Sequence, residues 1–343
     1  MYRLDNCAPN KRIHGGVAAL IAPIAALLVP LAFLAAFLVP VATAPSASAA
    51  GTGSATPAAA TARIQALLDS PVNNTVNLPH GTFVIRPTLR LHQGERIIGH
   101  QTTLTVAAGS GNYAALLAGA SPTTDLSGLT ITGVTFNQNA AANPIRSTHA
   151  LYDGQPRFVV LISLGSHITI TGNRFTGTDN VNTIVTGQAT RDVTISNNVF
   201  RTINTPVHDH SSIYTSGTTT TIRNNSLLGT RLYHSAAIEV HGQDADIVGN
   251  HVRGYYRGAN IACSQTTFSH NEIRGALNPV DLWSIAAPGL SSVAVTHNTL
   301  NRNLAYWARL LGSVPPAAYT RQVIRDSSSS FPFRGIRIAG NSG

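Results

Sequence analysis

The chain has 343 residues, 43% hydrophobic and only 11% charged, with 29 glycines and 18 prolines. That balance excludes a long coiled coil and a disordered polyelectrolyte, and leaves material for a sizeable core. The formal charge is +9, but the arginines are scattered singly and Lys11 is the only lysine; this argues against a nucleic-acid reader and excludes a lysine base in the folded part.

The first 49 residues have the form of an export signal. Arg3, Lys11 and Arg12 make a basic start, an apolar run extends from Val17 to Val41, and Ala47-Ser48-Ala49 supplies the small-x-small cleavage pattern. The run is long enough to span a bilayer if uncleaved, so any membrane association would pass through this leader. Its removal leaves 20 arginines against 13 acids, a charge of +7 that suits an anionic polymer. Cys7 leaves with it, so Cys263 remains alone and no disulfide framework is available. Secretion is the expected localisation.

Residues 50–62 are Gly, Ser, Thr, Ala and Pro and are expected to form a flexible linker. Residues 63–343 are read as one domain. Thr61–Asp69 has the pattern of a short helix, and 63–75 reads as an N-terminal cap. From there the chain repeats. Segments beginning at Ile168, Val193, Thr220, Ala245, Gln265 and Val293 superpose on Asn173, Asn198, Asn225, Asn250, Asn271 and Asn298. An earlier copy, Leu129–Phe136, carries Val134 at the asparagine position. Asparagines recurring at this spacing mark the coils of a solenoid. Their two expected roles are to accept a left-handed bend and to hydrogen-bond from coil to coil. A second strand lies midway in each repeat, its inward residues set at Ile184, Ile213, Ile238, Ile261 and Leu282. Residues 301–335 read as an insertion whose helix, Asn303–Leu311, presents Leu304, Trp307, Leu310 and Leu311. Ile336–Asn341 then returns to the ladder.

With its opening segment, Val76–Phe83, Leu89-Arg90-Leu91 and Ile97-Ile98-Gly99, this pattern resembles the pectin-lyase-like superfamily over about Ile64 to Leu300. The resemblance implies an all-β fold, a single-stranded right-handed parallel β-helix with short capping helices, and extracellular action on polysaccharide by β-elimination or hydrolysis. The Asn-Thr-Asp, Asp-Asp, Gly-His-Gly and Arg-Ile-Lys motifs of its polygalacturonases are missing: Gly99-His100 runs into Gln101, and Arg337-Ile338 into Ala339. So are the acidic calcium cluster and Arg-x-Pro-x-x-Arg segment of its calcium-dependent lyases.

Alternation about the inward set puts Tyr214, Glu239 and His241 on one outer wall, with Trp283 at its edge, and the column four residues before the inward position adds Asp209, His234 and Arg257, Asp209 by way of a turn. Glu239, Asp209, His234, His241 and Tyr214 are the candidate catalytic groups. Asp209 and Glu239 offer the two carboxyls of a glycosidase, whereas Tyr214 or a histidine could take a proton from a sugar carbon in a lyase. Arg257, Trp283 and His210 are the candidate substrate-binding groups, Arg257 gripping a carboxylate and Trp283 stacking on a sugar. No cofactor is expected. A calcium ion would need an acidic cluster that the sequence does not offer, and His208-Asp209-His210 lacks the further ligands of a metal site. Two readings stay open: a secreted polysaccharide-cleaving enzyme, lyase or hydrolase, and a non-catalytic carbohydrate-binding or cell-wall β-helix. N-terminal sequencing of the exported protein is expected to start near Ala50; an intact Met1 in a membrane fraction would refute the cleavage.

Overall fold

The computed structural model describes residues 55–343 apart from 112, 145–156, 179–181, 202–209, 231–234, 285–287, 313–323 and 327–330. These residues build a parallel β-solenoid, the all-β architecture expected, in which each coil presents three walls. The first wall stacks Thr75–Leu78, Arg96–Val106, Thr130–Asn137, Phe158–Thr171, Asn182–Ser196, Thr218–Arg223, Gln243–Val248, Thr266–Ser269, Val293–Thr296 and Arg337–Ala339. The second contains Gly81–Ile85, Arg174–Thr176, Val199–Arg201, Ser226–Leu228, His251–Arg253, Glu272–Ala276 and Thr299–Arg302. The third contains Leu89–Leu91, Ala115–Gly119, His210–Thr215, Ser235–Val240, Arg257–Ile261, Asn278–Leu282 and Ile324–Asp326. The long strands Arg96–Val106, Phe158–Thr171 and Asn182–Ser196 turn a corner and serve two walls each.

Because every pairing in these walls is parallel and nearly in register, like residues stack on like. On the second wall Phe136, Phe175 and Phe200 form a ring column with centroids 5.2 and 4.7 Å apart. The first wall continues the core with Ile170, Ile195, Ile222 and Ile247, all buried. Such columns bury apolar area on every level, at about 25 cal/mol per Å².

The asparagine ladder stands at the corner between the first and second walls. Asn198 donates its backbone N–H and its Nδ2 to Asn225 Oδ1 (3.0 and 3.1 Å), and its Nδ2 also reaches Ile170 O (2.9 Å). Asn225 repeats this onto Asn250 and Ile195, and Asn250 onto Asn271 and Ile222. The chain of bonds runs on to Asn341. At its other end, Val134 donates its N–H to Asn173 Oδ1, so the degenerate copy still receives a partner. The left-handed bend does not belong to the ladder asparagines. It belongs to the residue before each of them: Gly172, Asn197, Asn224, Gly249, His270, His297 and Gly340 have φ between 54° and 65°. The two roles expected of one residue are divided between neighbours, because the inward amide must point at the next coil while the preceding residue turns the chain.

The first helix spans Pro57–Leu68, four residues earlier than expected at its start. Thr56 caps it by accepting from Ala59 N, and Pro57 takes the first turn, where no amide proton is needed. Residues 57–62 therefore belong to the cap and not to a linker. Ala60, Ile64 and Leu68 close the core at this end. The later helix, Leu304–Leu311, is capped by Asn303 and anchored by Trp307, whose Nε1 donates to Gly275 O (3.0 Å) and whose ring meets Tyr256 edge-on. Leu310, expected on the apolar face, is exposed instead. Among the described residues no helix is long and apolar enough to cross a membrane.

Asn225→Leu removes the acceptor of the Asn198 backbone N–H and the donor to Ile195 O, both buried. A loss of roughly 2–5 kcal/mol in denaturant unfolding is expected from stranding these groups; an unchanged midpoint would show that the ladder carries no stability.

Candidate functional site

The third wall carries the candidate site on its outer surface. The strands His210–Thr215 and Ser235–Val240 pair in one register throughout, Ser211 with Ala236 and Ile213 with Ile238. Ser212 binds Tyr255 Oη (2.6 Å), and Tyr255 belongs to the main core, as do Ile213, Ala237 and Ile238. Two successive residues thus face inward on each strand, so alternation breaks at the same point in both without a register shift. The consequence is that Ser211 and Tyr214 both face outward, three residues apart.

The register differs from expectation further on. Ile238 stacks on Ala259 and Val280, while Ile261 and Leu282 stack on Val240. The step from Ile238 to Ala259 is 21 residues, where 23 had been expected. The difference is even, so inward and outward faces are preserved, but the columns change members. Outward from Glu239 come Asn260 and Asp281, not Ala262 and Trp283. Trp283 falls instead beyond Leu282, in the file that follows His241 and Ala262. Arg257 pairs with Ala236 and Asn278.

Glu239 is the centre of the arrangement. It faces outward yet is only 8% exposed. Ser211 Oγ donates to its Oε2 (2.5 Å), and His241 Nε2 lies 2.7 Å from its Oε1. Burial pushes the Glu239 carboxyl up; the hydrogen bond and charge of His241, the Ser211 hydroxyl and the Arg257 guanidinium outweigh it and hold the group below its ordinary 4.5. The His241 ring stacks on Tyr214 (centroids 5.1 Å, 27°) and meets Trp283 edge-on at 6.4 Å. The chain can turn directly after His241 because Gly242 lies against the Gly217 backbone, where an added Cβ would run into the Gly217 carbonyl. Arg257 sits over the rings of Tyr256 and Trp283 (5.4 and 5.6 Å), with its Nε 3.8 Å from Asp281 Oδ2.

Structure therefore brings Glu239, His241, Arg257 and Trp283 together. Tyr214, expected as an accessible acid or base, is buried in an apolar outer cluster with Ala115, Ala118, Leu161 and Val185, and serves as a platform for His241. Asp209 and His234 lie outside the described residues, as does the side chain of His210, whose backbone opens the strand His210–Thr215. Ser211 and Asn260 escaped sequence reasoning, while Asn278 falls in the Arg257 column as alignment of the repeats predicts. Strict alternation turns Ser211 inward, and only the shortened coil aligns Asn260 with Glu239. Among the described residues no three or more His, Cys, Asp or Glu side chains cluster as metal ligands would.

No protein-family model matches the chain, and no curated protein matches it. Solved structures do. The tailspike of E. coli bacteriophage HK620, in a variant with an aspartate and a glutamate replaced by alanine and in complex with a pentasaccharide, superposes with a TM-score of 0.61 at 16% identity, over 83% of this chain and 53% of that one. A second variant, in complex with a hexasaccharide, gives 0.59 at 14% identity over 83% and 52%. The chain thus spans about half the length of these tailspikes and shares their β-helix fold.

Because the Glu239 carboxyl is depressed, it takes up its proton at lower pH folded than unfolded, so its stabilising contribution is fully present above about 4.5 and fades as pH falls through the folded value. The stability difference between wild type and Glu239→Gln is expected to be evident at pH 6 and to shrink below pH 4.5 in denaturant melts. A difference unchanged at pH 3 would remove the ionised carboxylate from the account.

Proposed function

We propose that this is a secreted polysaccharide-binding β-helix protein of the pectin-lyase-like kind, with a hydrolytic glycan-cleaving centre on its third wall. The observation that carries the reading is Glu239: a carboxylate buried on an outer wall and held ionised by Ser211 and His241, beside a tryptophan and an arginine. Crowded outward acids of this kind mark sites more often than solvated walls. The tailspikes that share the fold are seen with oligosaccharides, in variants altered at acidic residues, which supports a glycan as ligand.

Hydrolysis suits the groups present better than elimination. A lyase must neutralise a uronate carboxylate, yet Arg257 is already engaged by Asp281 and by two rings, and Glu239 and Asp281 would repel the uronate. A hydrolase needs a carboxylate able to activate water. Glu239 offers this group; Asp281 stands two coils away in the same column, about 10 Å between backbones, with Asn260 between them. In this scheme a water oxygen attacks the anomeric carbon and gives its proton to Glu239. The glycosidic C–O bond breaks and the leaving oxygen takes a proton from a solvent water, whose hydroxide recovers the proton held by Glu239; Asp281, paired with Arg257, does not serve as the acid. His241 positions Glu239, and Trp283 supports the sugar. One observation favours a binding protein without catalysis: Asp281 is fully buried.

Screening the protein on a polysaccharide panel separates these readings. New reducing ends without absorbance from unsaturated uronates are expected, with turnover falling about 10²-fold or more in Glu239→Gln while the fold is kept. Unsaturated uronates would make it a lyase; tight binding with no cleavage would make it a binding protein.

A further inference from the structure

Arginines that stand singly in the sequence are brought into file by the second wall. Phe175, Phe200, Leu227, Val252, Ile273 and Leu300 stack in register and face the core, so the residues beside them face out. One outward file reads Thr176, Arg201, Leu228, Arg253, Arg274; the other starts at Arg174 and contains His251 and Glu272. Arg302 closes the wall, beyond the register shift after Arg274. Every coil from Arg174 to Arg302 thus supplies one arginine except that of Leu228, and Glu272 is the single acid on this face among the described residues. The first wall is different: there Arg191 and Arg223 are interspersed with Asp192, Asp244 and Asp246, all exposed. Folding does not favour the arginine file. Arg253 and Arg274 are exposed and directly opposite each other in adjacent coils, where like charges repel. Glu272 answers only part of this, since it binds Arg274 and lies 2.9 Å from His251.

We infer that the outer face of the second wall is an anchoring strip for a linear polyuronate, separate from the candidate centre on the third wall and without a part in cleavage. Arg174 and Arg302 mark its ends, five coil steps apart, about 24 Å at the spacing of neighbouring strands. A polymer laid along the solenoid axis meets one guanidinium per coil. That density suits a chain with one carboxylate per sugar unit, and a guanidinium grips a carboxylate through two parallel hydrogen bonds. Leu228, 42% exposed, fills the one gap in the file with an apolar contact for the C–H face of a sugar ring. Nucleic acid fits less well, because the two outward files carry no aromatic side chain for a base to stack on. A lipid surface would need apolar side chains to insert, and Leu228 is the one large hydrophobic residue exposed between Arg174 and Arg302 among the described residues. The only acid of the strip is held by Arg274 and His251, which leaves a holding surface. The strip does not depend on the proposed centre: Glu239 and Asp281 repel a uronate from the third wall, whereas the second wall attracts one.

The test uses the full chain and calorimetric titration with polygalacturonate, its methyl ester, duplex DNA and vesicles of phosphatidylcholine with phosphatidylglycerol. The variants are Glu239→Gln, the second-wall pair Arg201→Gln with Arg253→Gln, and, as a control of equal charge, the first-wall pair Arg191→Gln with Arg223→Gln. Polygalacturonate is expected to bind and its uncharged methyl ester not to. That binding should be lost near about 0.5 M NaCl, where exposed charges are screened. It should persist in Glu239→Gln and in the first-wall pair, and weaken about tenfold or more in the second-wall pair. The melting temperature of the second-wall pair should be equal to that of wild type or higher, since repulsion within the file is relieved. Equal weakening in the two pairs would reduce the effect to net charge, and a lowered melting temperature in the second-wall pair would make the file structural; either overturns the strip. So would tighter binding of DNA or vesicles, no binding of polygalacturonate, or binding lost in Glu239→Gln, which would put the polymer on the third wall. Absence of cleavage of any polysaccharide, with the expected binding pattern intact, would overturn the hydrolase and leave the strip standing.

Discussion

The structure depends on one repeated interaction, the amide ladder from Asn173 to Asn341. A solenoid corner exposes backbone groups that neither adjoining wall can pair, and water cannot reach them once the coils stack. Each ladder asparagine answers on both sides: its Oδ1 accepts from the coil before it, and its Nδ2 donates to a carbonyl of that coil and to the Oδ1 of the next asparagine. The bonds align one coil on the next, and this alignment lets the phenylalanine and isoleucine columns stack without slipping. Because the corner is satisfied locally, the connections elsewhere in the coil are free to vary. The ladder tolerates steps of 21, 25, 27 and 43 residues.

That freedom is concentrated between the second and third walls, and it shapes the candidate site. The outer face of the third wall is polar in places and buried almost throughout, so each polar group there must be paired within the wall or with something else. Glu239 is paired: Ser211 and His241 take both its oxygens, and the ring of Tyr214 supports the imidazole from below. Asp281 and Arg257 face each other. Asn260 and Asn278 are not paired.

The fold was legible because it is periodic. Strand alternation, the asparagine spacing and the small residues before it are local signals repeated many times, so errors at one coil do not spread. Glu239, His241 and Trp283 were also reachable, since alternation alone places them outward; Arg257, in the file of Ser211, owes its outward place to the same break in alternation. Their neighbours were not. Ser211 depends on a break in alternation at Ser212 and Ala237, and the membership of the Glu239 column depends on a coil two residues shorter than the pattern suggested. Tyr214 shows the same limit for burial: its direction followed from alternation, its enclosure did not.

The sequence by itself determined that the chain coils, where each coil turns and which side of each strand faces the core, because these follow from side-chain period and from the few residues able to adopt a left-handed bend. Tertiary structure alone decided which outward residues meet. Two coils are neighbours in space but more than 20 residues apart in the chain, and their relative register is set by backbone pairing across the gap. A shift of two residues leaves every hydrophobic position satisfied, so the sequence pattern has no means of registering it, yet it exchanges Ala262 for Asn260 and Trp283 for Asp281 beside Glu239.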